Sequence, residues 1–240
     1  MPSEAKPQPA AESSHIRGLT LHGCEITCAA AKGVRDGLTD GSPQFLEGVR
    51  QWEEDLDNLD REINEAVTTA ITRCSEADAA ELLACLKVVN ELERIGDLLL
   101  GFANRASTLH GRLATHDVSD LETMTGLLCK MLADATEAFR TRDTKLALAV
   151  LRADTEMDRL RNLLFVRHIE NPENKPQQES FHVIFMTQAL ERSGDHAKNL
   201  AEEVVHLVSG RSVRHLLRAQ DKPDEVRFVD FMRRNKGRSA

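Results

Sequence analysis

The chain carries the stretch Glu93-Arg94-Ile95-Gly96-Asp97 and repeats it 98 residues later as Glu191-Arg192-Ser193-Gly194-Asp195. A looser pair recurs at an offset of 101 residues, in which Glu53-Glu54-Asp55-Leu56-Asp57 matches Asp154-Thr155-Glu156-Met157-Asp158. Each stretch holds acidic residues four positions apart, which a helix places on one face. Two matches at nearly the same offset indicate that the chain is built from two tandem copies of one helical unit.

Turn and capping signals predict six helices in these two copies. Ser42 and Asp143 are predicted N-caps, and they are separated by the same 101 residues as the looser acidic pair. Pro43 suits the first helical position, Ser75 is expected to cap the third helix, and Ser119-x-x-Glu122 has the pattern of a capping box. The predicted helices span residues 17–39, 43–73, 76–107, 119–140, 143–170 and 176–209, and the predicted linkers include 108–118 and 171–176.

The composition supports a helical fold and excludes several classes of function. Of the 240 residues, 41% are hydrophobic, only 4% are aromatic and none is Tyr, which argues against an all-β fold. The net charge of −8 opposes binding to nucleic acid phosphates over most of the surface. No run of about 18 apolar residues is present, so we expect no transmembrane segment. The five cysteines are expected to be reduced thiols of a cytoplasmic protein.

Two apolar stripes predict how the helices pack. Residues at alternating steps of four and three positions line one face of the third helix and one face of the sixth, as in a coiled-coil-like seam. The stripes are Leu92, Gly96, Leu99, Ala103 and Ala106, and Leu190, Gly194, Ala197, Ala201 and Val204. The predicted fold is therefore all-α, with two tandem three-helix bundles. The predicted division is a disordered leader at 1–14, repeats at 15–110 and 111–215, and a basic tail at 216–240.

Eight carboxylates are predicted to gather in two clusters of four. If the second and third helices of each unit form an antiparallel hairpin, residues whose position numbers share the same sum lie at the same level. That sum is 150 for both cross-helix pairs of the first unit and 349 for both of the second. The first cluster comprises Glu53, Asp57, Glu93 and Asp97, and the second cluster comprises Asp154, Asp158, Glu191 and Asp195.

Four clustered carboxylates repel one another unless a cation neutralises them. Oxygen ligands suit magnesium, manganese and iron, or zinc where only carboxylates are offered. We therefore predict a metal site in each unit, and the two sites need not be equally occupied. Gly96 and Gly194 lie within the clusters, where the absence of a side chain gives room for a metal or for close helix approach. The alternative interpretation is a solvated acidic face.

The second acidic stretch continues as His196-Ala197-Lys198-Asn199, and residues 202–215 read EEVVHLVSGRSVRH. Over about residues 15–215 the sequence resembles the PhoU family of phosphate-signalling proteins. The signature of that family is a tandem repeat of the type E-R-x-G-D-x-x-x-N. The first copy departs from this signature, because Gly101 stands in place of the Asn.

The resemblance implies two three-helix bundles in which the eight acidic residues named above bind metal ions. It also implies a cytoplasmic, non-enzymatic and often dimeric accessory of a phosphate ABC transporter. Such a protein relays the state of the transporter to a sensor histidine kinase and keeps phosphate uptake and the phosphate regulon low when phosphate is plentiful. The expected partners are therefore the transporter ATPase, the kinase and a second copy of the chain, with no nucleic acid.

Two other functions remain open on the sequence. A PhoU-like adaptor of a different transporter would have the same features. A carboxylate-bridged metal enzyme would use pairs such as Glu179-x-x-His182 or Glu203-x-x-His206, but both pairs lie on one predicted helix. Cys24-x-x-x-Cys28 and His196 are weaker candidates for a supporting role at a metal, against the alternatives of buried thiols and a surface histidine.

Overall fold

The structure is a computed structural model that describes residues 9–40, 43–170 and 177–210. Within these ranges it contains six α-helices, one short π-helix and no strand, which confirms the all-α prediction. The helices are α1 (Pro9–Asp40), α2 (Pro43–Ala70), α3 (Glu76–Thr108), α4 (Thr115–Thr141), α5 (Thr144–Phe165), the π-helix (Val166–Glu170) and α6 (Gln177–Ser209). The predictions for Ser42, the 171–176 loop and the 216–240 tail lie outside the described residues.

Several helix ends follow the signals in the sequence. α2 begins at Pro43, as predicted. The Ser75 hydroxyl accepts a hydrogen bond from the backbone N–H of Asp78 at 3.2 Å, and the Asp143 carboxylate accepts one from the N–H of Lys145 at 2.7 Å. These bonds satisfy N–H groups that the first turn of a helix leaves without intrahelical partners.

Two helix starts differ from the prediction. α1 begins at Pro9 rather than at residue 17, so residues 9–14 of the expected leader are helical, and residues 1–8 lie outside the described ranges. α4 begins at Thr115, so the capping box predicted at Ser119 is wrong. The residue at the N-cap is Ala114, whose side chain makes no capping hydrogen bond. Asp117 in the first turn interacts favourably with the helix dipole instead.

Each set of three consecutive helices packs as one bundle, α1 to α3 and α4 to α6. The two bundles join side by side, with α1 against α4 and α3 against α6. Lys87 pairs with Glu203 at 3.0 Å, and the Arg105 guanidinium lies over the Phe185 ring at 5.0 Å. Since the earlier residue of α3 meets the later residue of α6, the two helices run antiparallel. The predicted pair of tandem three-helix units is confirmed.

The core is continuous across both bundles. All ten positions of the two predicted apolar stripes are buried. Phe102 of α3 and Phe139 of α4 are among the largest fully buried side chains, so each bundle contributes aromatic volume to the same core. None of the described helices is long and apolar enough to cross a membrane.

Candidate metal centre

The first cluster lies where α2 and α3 run side by side. Burial raises the pKa of Glu53, and the negative charges of Asp57 and Asp97 raise it further. The pKa of Glu93 is raised by burial and then by Asp97, Asp57 and Asp60. The packing of α2 on α3 brings the acidic residues of the two helices to facing sides of the hairpin, where Gly96, beside Asp97, packs against Glu53. Within the described residues, no member of the first cluster takes part in an ion pair.

Gly96 and Gly194 allow close helix approach inside the clusters. A Cβ atom on Gly96 would lie 2.9 Å from Cδ1 of Leu56 and 3.9 Å from Cα of Glu53. A Cβ atom on Gly194 would lie 3.2 Å from Cγ of Met157. Leu56 and Met157 are related by the 101-residue offset, so the two units pack alike at this point. Of the two uses expected for these glycines, the packing accounts for close helix approach.

The second cluster occupies the matching place between α5 and α6. Burial raises the pKa of Asp154, which is only 5% exposed, although Lys198 acts in the opposite direction. The Nζ atom of Lys198 lies 2.5 Å from the Asp154 carboxylate. The Nη2 atom of Arg161 lies 3.3 Å from a carboxylate oxygen of Asp158 and 3.3 Å from one of Glu191. The chain's own cations therefore neutralise much of the second cluster.

Neither cluster forms a closed cage for a metal as its side chains stand. Across the described ranges, no three His, Cys, Asp or Glu side chains converge closely enough to hold a metal ion. The donor chemistry of the first cluster fits a hard cation, because its donors are carboxylates of two packed helices and none of them takes part in an ion pair among the described residues. The second cluster fits less well, since an ammonium and a guanidinium group already contact three of its carboxylates. The role of the eight residues as metal ligands stays a prediction.

The histidines weighed as supporting ligands bind across the interface between the bundles or along their own helix. His196 Nδ1 lies 2.6 Å from a carboxylate oxygen of Glu91, so His196 contacts α3 rather than the second cluster. Asn199 donates to the same oxygen at 2.9 Å, which gives the Asn of the signature a place in the packing of α6 on α3. Glu203 contacts Lys87 and the adjacent His206. That Glu-x-x-His pair therefore belongs to the bundle interface.

The cysteines fit the interpretation as packed apolar residues. Cys24 is 2% exposed, and burial raises the pKa of its thiol to about 12. The Cys28 sulfur lies 3.7 Å from the Thr136 hydroxyl of α4. Burial also raises the pKa of Cys85, to about 11. Thiols that stay protonated near pH 7 are poor metal ligands, because metals bind the thiolate.

A buried polar cluster that the sequence analysis missed lies at the end of α5. His168 of the π-helix places Nε2 3.0 Å from Asp117 of α4 and Nδ1 3.2 Å from the Ser180 hydroxyl of α6. The order Ser-His-Asp resembles a hydrolase triad, but the His168 side chain is 1% exposed and no substrate reaches it. The cluster therefore joins three segments of the second bundle. No spacing signal could reveal it, because its members are 12 and 51 residues apart on separate helices.

Comparison with known proteins gives a consistent result. A family model described as the PhoU domain matches residues 21–106 and 121–204, one match in each bundle. A phosphate-specific transport system accessory protein PhoU homolog from Pseudomonas putida is 32% identical over 202 residues, which cover 77% of this chain and 75% of the relative. PhoU homolog 1 of Thermotoga maritima, described in the same words, is 30% identical over 184 residues, which cover 74% of this chain and 78% of the relative.

Two solved structures share the architecture. The crystal structure of PhoU from Pseudomonas aeruginosa superposes with a TM-score of 0.78 at 26% identity, covering 85% of this chain and 100% of that chain. The phosphate transport system regulatory protein PhoU from Streptococcus pneumoniae gives a TM-score of 0.79 at 20% identity, covering 86% and 99%. The second likeness is one of fold alone. Both agree with the arrangement of two three-helix units.

Proposed function

Because this chain belongs to the PhoU family, we propose that it is an accessory regulator of a phosphate-specific transport system and acts by binding partners rather than by catalysis. The observation that carries the proposal is that both helical units match the PhoU domain. The relatives from P. putida and T. maritima, which are 32% and 30% identical, are themselves described as accessory proteins of such a system.

The finer part of the proposal is an adaptor role in the cytoplasm. The chain would contact the ATPase of a phosphate ABC transporter and a sensor histidine kinase, and would lower phosphate uptake and the phosphate regulon when phosphate is plentiful. A surface for such contacts is available at one end of the second bundle. Phe181 and Phe185 of α6 are 59% and 49% exposed, and Ile169 of the π-helix is 58% exposed. Exposed apolar side chains of this size favour contact with a partner or with a second copy of the chain in a dimer.

The adaptor is also proposed to bind a metal ion, magnesium, manganese, iron or zinc, through its clustered carboxylates. The support is the first cluster, in which burial and the charges of Asp57 and Asp97 raise the pKa of Glu53 and of Glu93 and whose members have no ion pairs among the described residues. A bound cation would neutralise this charge and hold α2 against α3. A ligand that binds only the folded state stabilises it in proportion to the logarithm of its concentration.

The test is deletion of the gene, with phosphate uptake and a phosphate-regulated reporter measured in phosphate-rich medium. We expect both to rise in the deletion strain and to return to their normal level when the chain is supplied again. A tagged chain should co-purify with the transporter ATPase and the kinase. The variant Phe181→Ser, Phe185→Ser should lose that co-purification.

The matched control for that variant is Leu83→Ser, because Leu83 is also an exposed apolar side chain, at 47%, and lies on α3 away from Phe181 and Phe185. It should retain both partners. Unchanged uptake and reporter activity in the deletion strain would contradict the proposal. Co-purification with a transporter of another substrate would assign the adaptor to that transporter instead.

A further inference from the structure

We propose that Lys198 and Arg161 take the place of a metal ion in the second cluster, so that metal uptake is confined to the first cluster. This inference rests on the proposed function, in which the clustered carboxylates bind a metal ion, and it specifies which of the two units binds that ion. Three observations carry it. They are the ion pairs of the second cluster, their absence from the first cluster in the part of the chain that the structure describes, and the residues at equivalent positions in the two units.

The ion pairs of the second cluster engage three of its four carboxylates. Lys198 holds Asp154 at 2.5 Å, and the two side chains are 20% and 7% exposed. Arg161 lies between Asp158 and Glu191, at 3.3 Å from each. One cation therefore sits against the buried wall of the cluster, and the other bridges its two helices, as a metal ion would.

The repeat offsets identify the counterparts of these cations in the first unit. The 98-residue offset relates Leu100 to Lys198, and the 101-residue offset relates Asp60 to Arg161. Asp60 lies three residues after Asp57, on the same face of α2. The first unit thus has an apolar residue and a fifth carboxylate where the second unit has two cations. The packing of the two units confirms this register at Gly96 and Gly194, as described above.

The energetic consequence differs between the clusters. A metal ion that enters the second cluster must displace Lys198 from a carboxylate that is 5% exposed, and separating a buried ion pair leaves charge without compensation. A metal ion that enters the first cluster displaces no ion pair between described residues and relieves repulsion among carboxylates. The first cluster therefore favours a divalent cation, and the second cluster disfavours it.

The test uses the full chain with Mn²⁺ as the probe, and bound metal per chain is measured by equilibrium dialysis and elemental analysis. The wild type should bind Mn²⁺ at the first cluster alone. Glu93→Gln should lower the affinity about tenfold or more, since it removes one ligand charge at contact distance. Glu191→Gln, the matched change in the second unit, should leave Mn²⁺ binding unchanged.

Exchanging the residues at equivalent positions makes the test reciprocal. Asp60→Arg should lower the Mn²⁺ affinity of the first cluster about tenfold or more, because an opposite charge replaces a like one. The double variant Arg161→Asp, Lys198→Leu should gain a second class of Mn²⁺ site. Circular dichroism establishes that each variant is folded, and if the double variant is not, the result for Asp60→Arg decides.

Several outcomes would overturn the inference. These are loss of Mn²⁺ binding in Glu191→Gln, a folded double variant without a new site, and unchanged affinity in Asp60→Arg. If the wild type binds no Mn²⁺ but the double variant does, the assignment of Lys198 and Arg161 stands while the metal part of the proposed function fails. If neither binds Mn²⁺, both fail.

Discussion

The contact between Gly33 of α1 and Trp52 of α2 allows a sharp test of the packing. A Cβ atom on Gly33 would lie 2.4 Å from Cζ3 and 2.8 Å from Cη2 of the Trp52 ring. Carbon atoms in contact are normally about 3.5–4.0 Å apart, so in Gly33→Ala the ring must move by about 1 Å or more. Trp52 packs against the core, which limits that movement.

Two opposing effects set the size of the change. Alanine in place of glycine inside a helix stabilises it by about 1 kcal/mol. Forcing an extra methyl group into a packed site costs about 1–3 kcal/mol. The net expectation for Gly33→Ala is a loss of about 1 kcal/mol, which lowers the melting temperature by about 2–4 °C in a chain of this size.

The assay is thermal and urea unfolding of four single or double variants. Gly18→Ala is the matched control, because Gly18 is exposed on the same helix and a Cβ atom there meets nothing within 4 Å, so it should be stabilising. In a Trp52→Leu background, Gly33→Ala should become stabilising as well, by about 1 kcal/mol. If Gly33→Ala stabilises the wild type and the Trp52→Leu variant equally, so that the coupling free energy between the two changes is below about 0.5 kcal/mol, the contact between Gly33 and Trp52 is refuted.

Three further predictions concern charge and hydrogen bonding. Because burial and neighbouring acids raise the folded-state pKa of Glu53 and Glu93, the folded state binds their protons more tightly than the unfolded chain does. The resulting loss of stability is complete at pH values above the raised pKa values and is relieved as the pH falls through them. The urea midpoint of the metal-free protein should therefore rise on acidification, and Glu53→Gln should make that rise smaller. His168→Leu should lower the unfolding free energy by about 1–3 kcal/mol, because buried Asp117 loses its 3.0 Å hydrogen-bond partner and keeps Arg167 and His116. Lys87→Ala should change it by less than about 1 kcal/mol, since the Lys87 side chain is 52% exposed.

The parts of the fold that follow from local sequence signals could be predicted. Ser75 and Asp143 cap helices because their side chains bond N–H groups two or three residues away. Asp158 and Glu191 face each other across α5 and α6, where both contact Arg161, because helix periodicity puts each acidic pair on one face of its helix. Both features depend on residues a few positions apart on one helix, and that spacing can be read directly from the sequence.

The contacts between separate helices could not be predicted in the same way. His196 was a candidate for a supporting role at the second cluster, with a surface histidine as the alternative, and it pairs instead with Glu91 of the other bundle. The burial of His168 between Asp117 and Ser180 has no periodic signature. Both depend on the angle at which one helix packs on another, which side-chain spacing along a single helix does not determine. The pairing of Arg161 and Lys198 with the second cluster belongs to the same class, although the repeat offsets expose it once the register is known.

The antiparallel packing of α3 on α6 sets the two clusters at the same height in the molecule. The contacting pairs Lys87–Glu203 and Arg105–Phe185 share a position sum of 290, and Glu93 and Asp195 have a sum of 288. A metal ion bound at the first cluster would therefore act halfway along these helices, on the α2–α3 pair. The α5–α6 pair at the same level is already held by Arg161, whatever the metal concentration. A partner that contacts both units would then bind an α5–α6 pair whose packing does not depend on the cation and an α2–α3 pair whose packing does. The duplication therefore places a metal-independent surface beside a metal-dependent one.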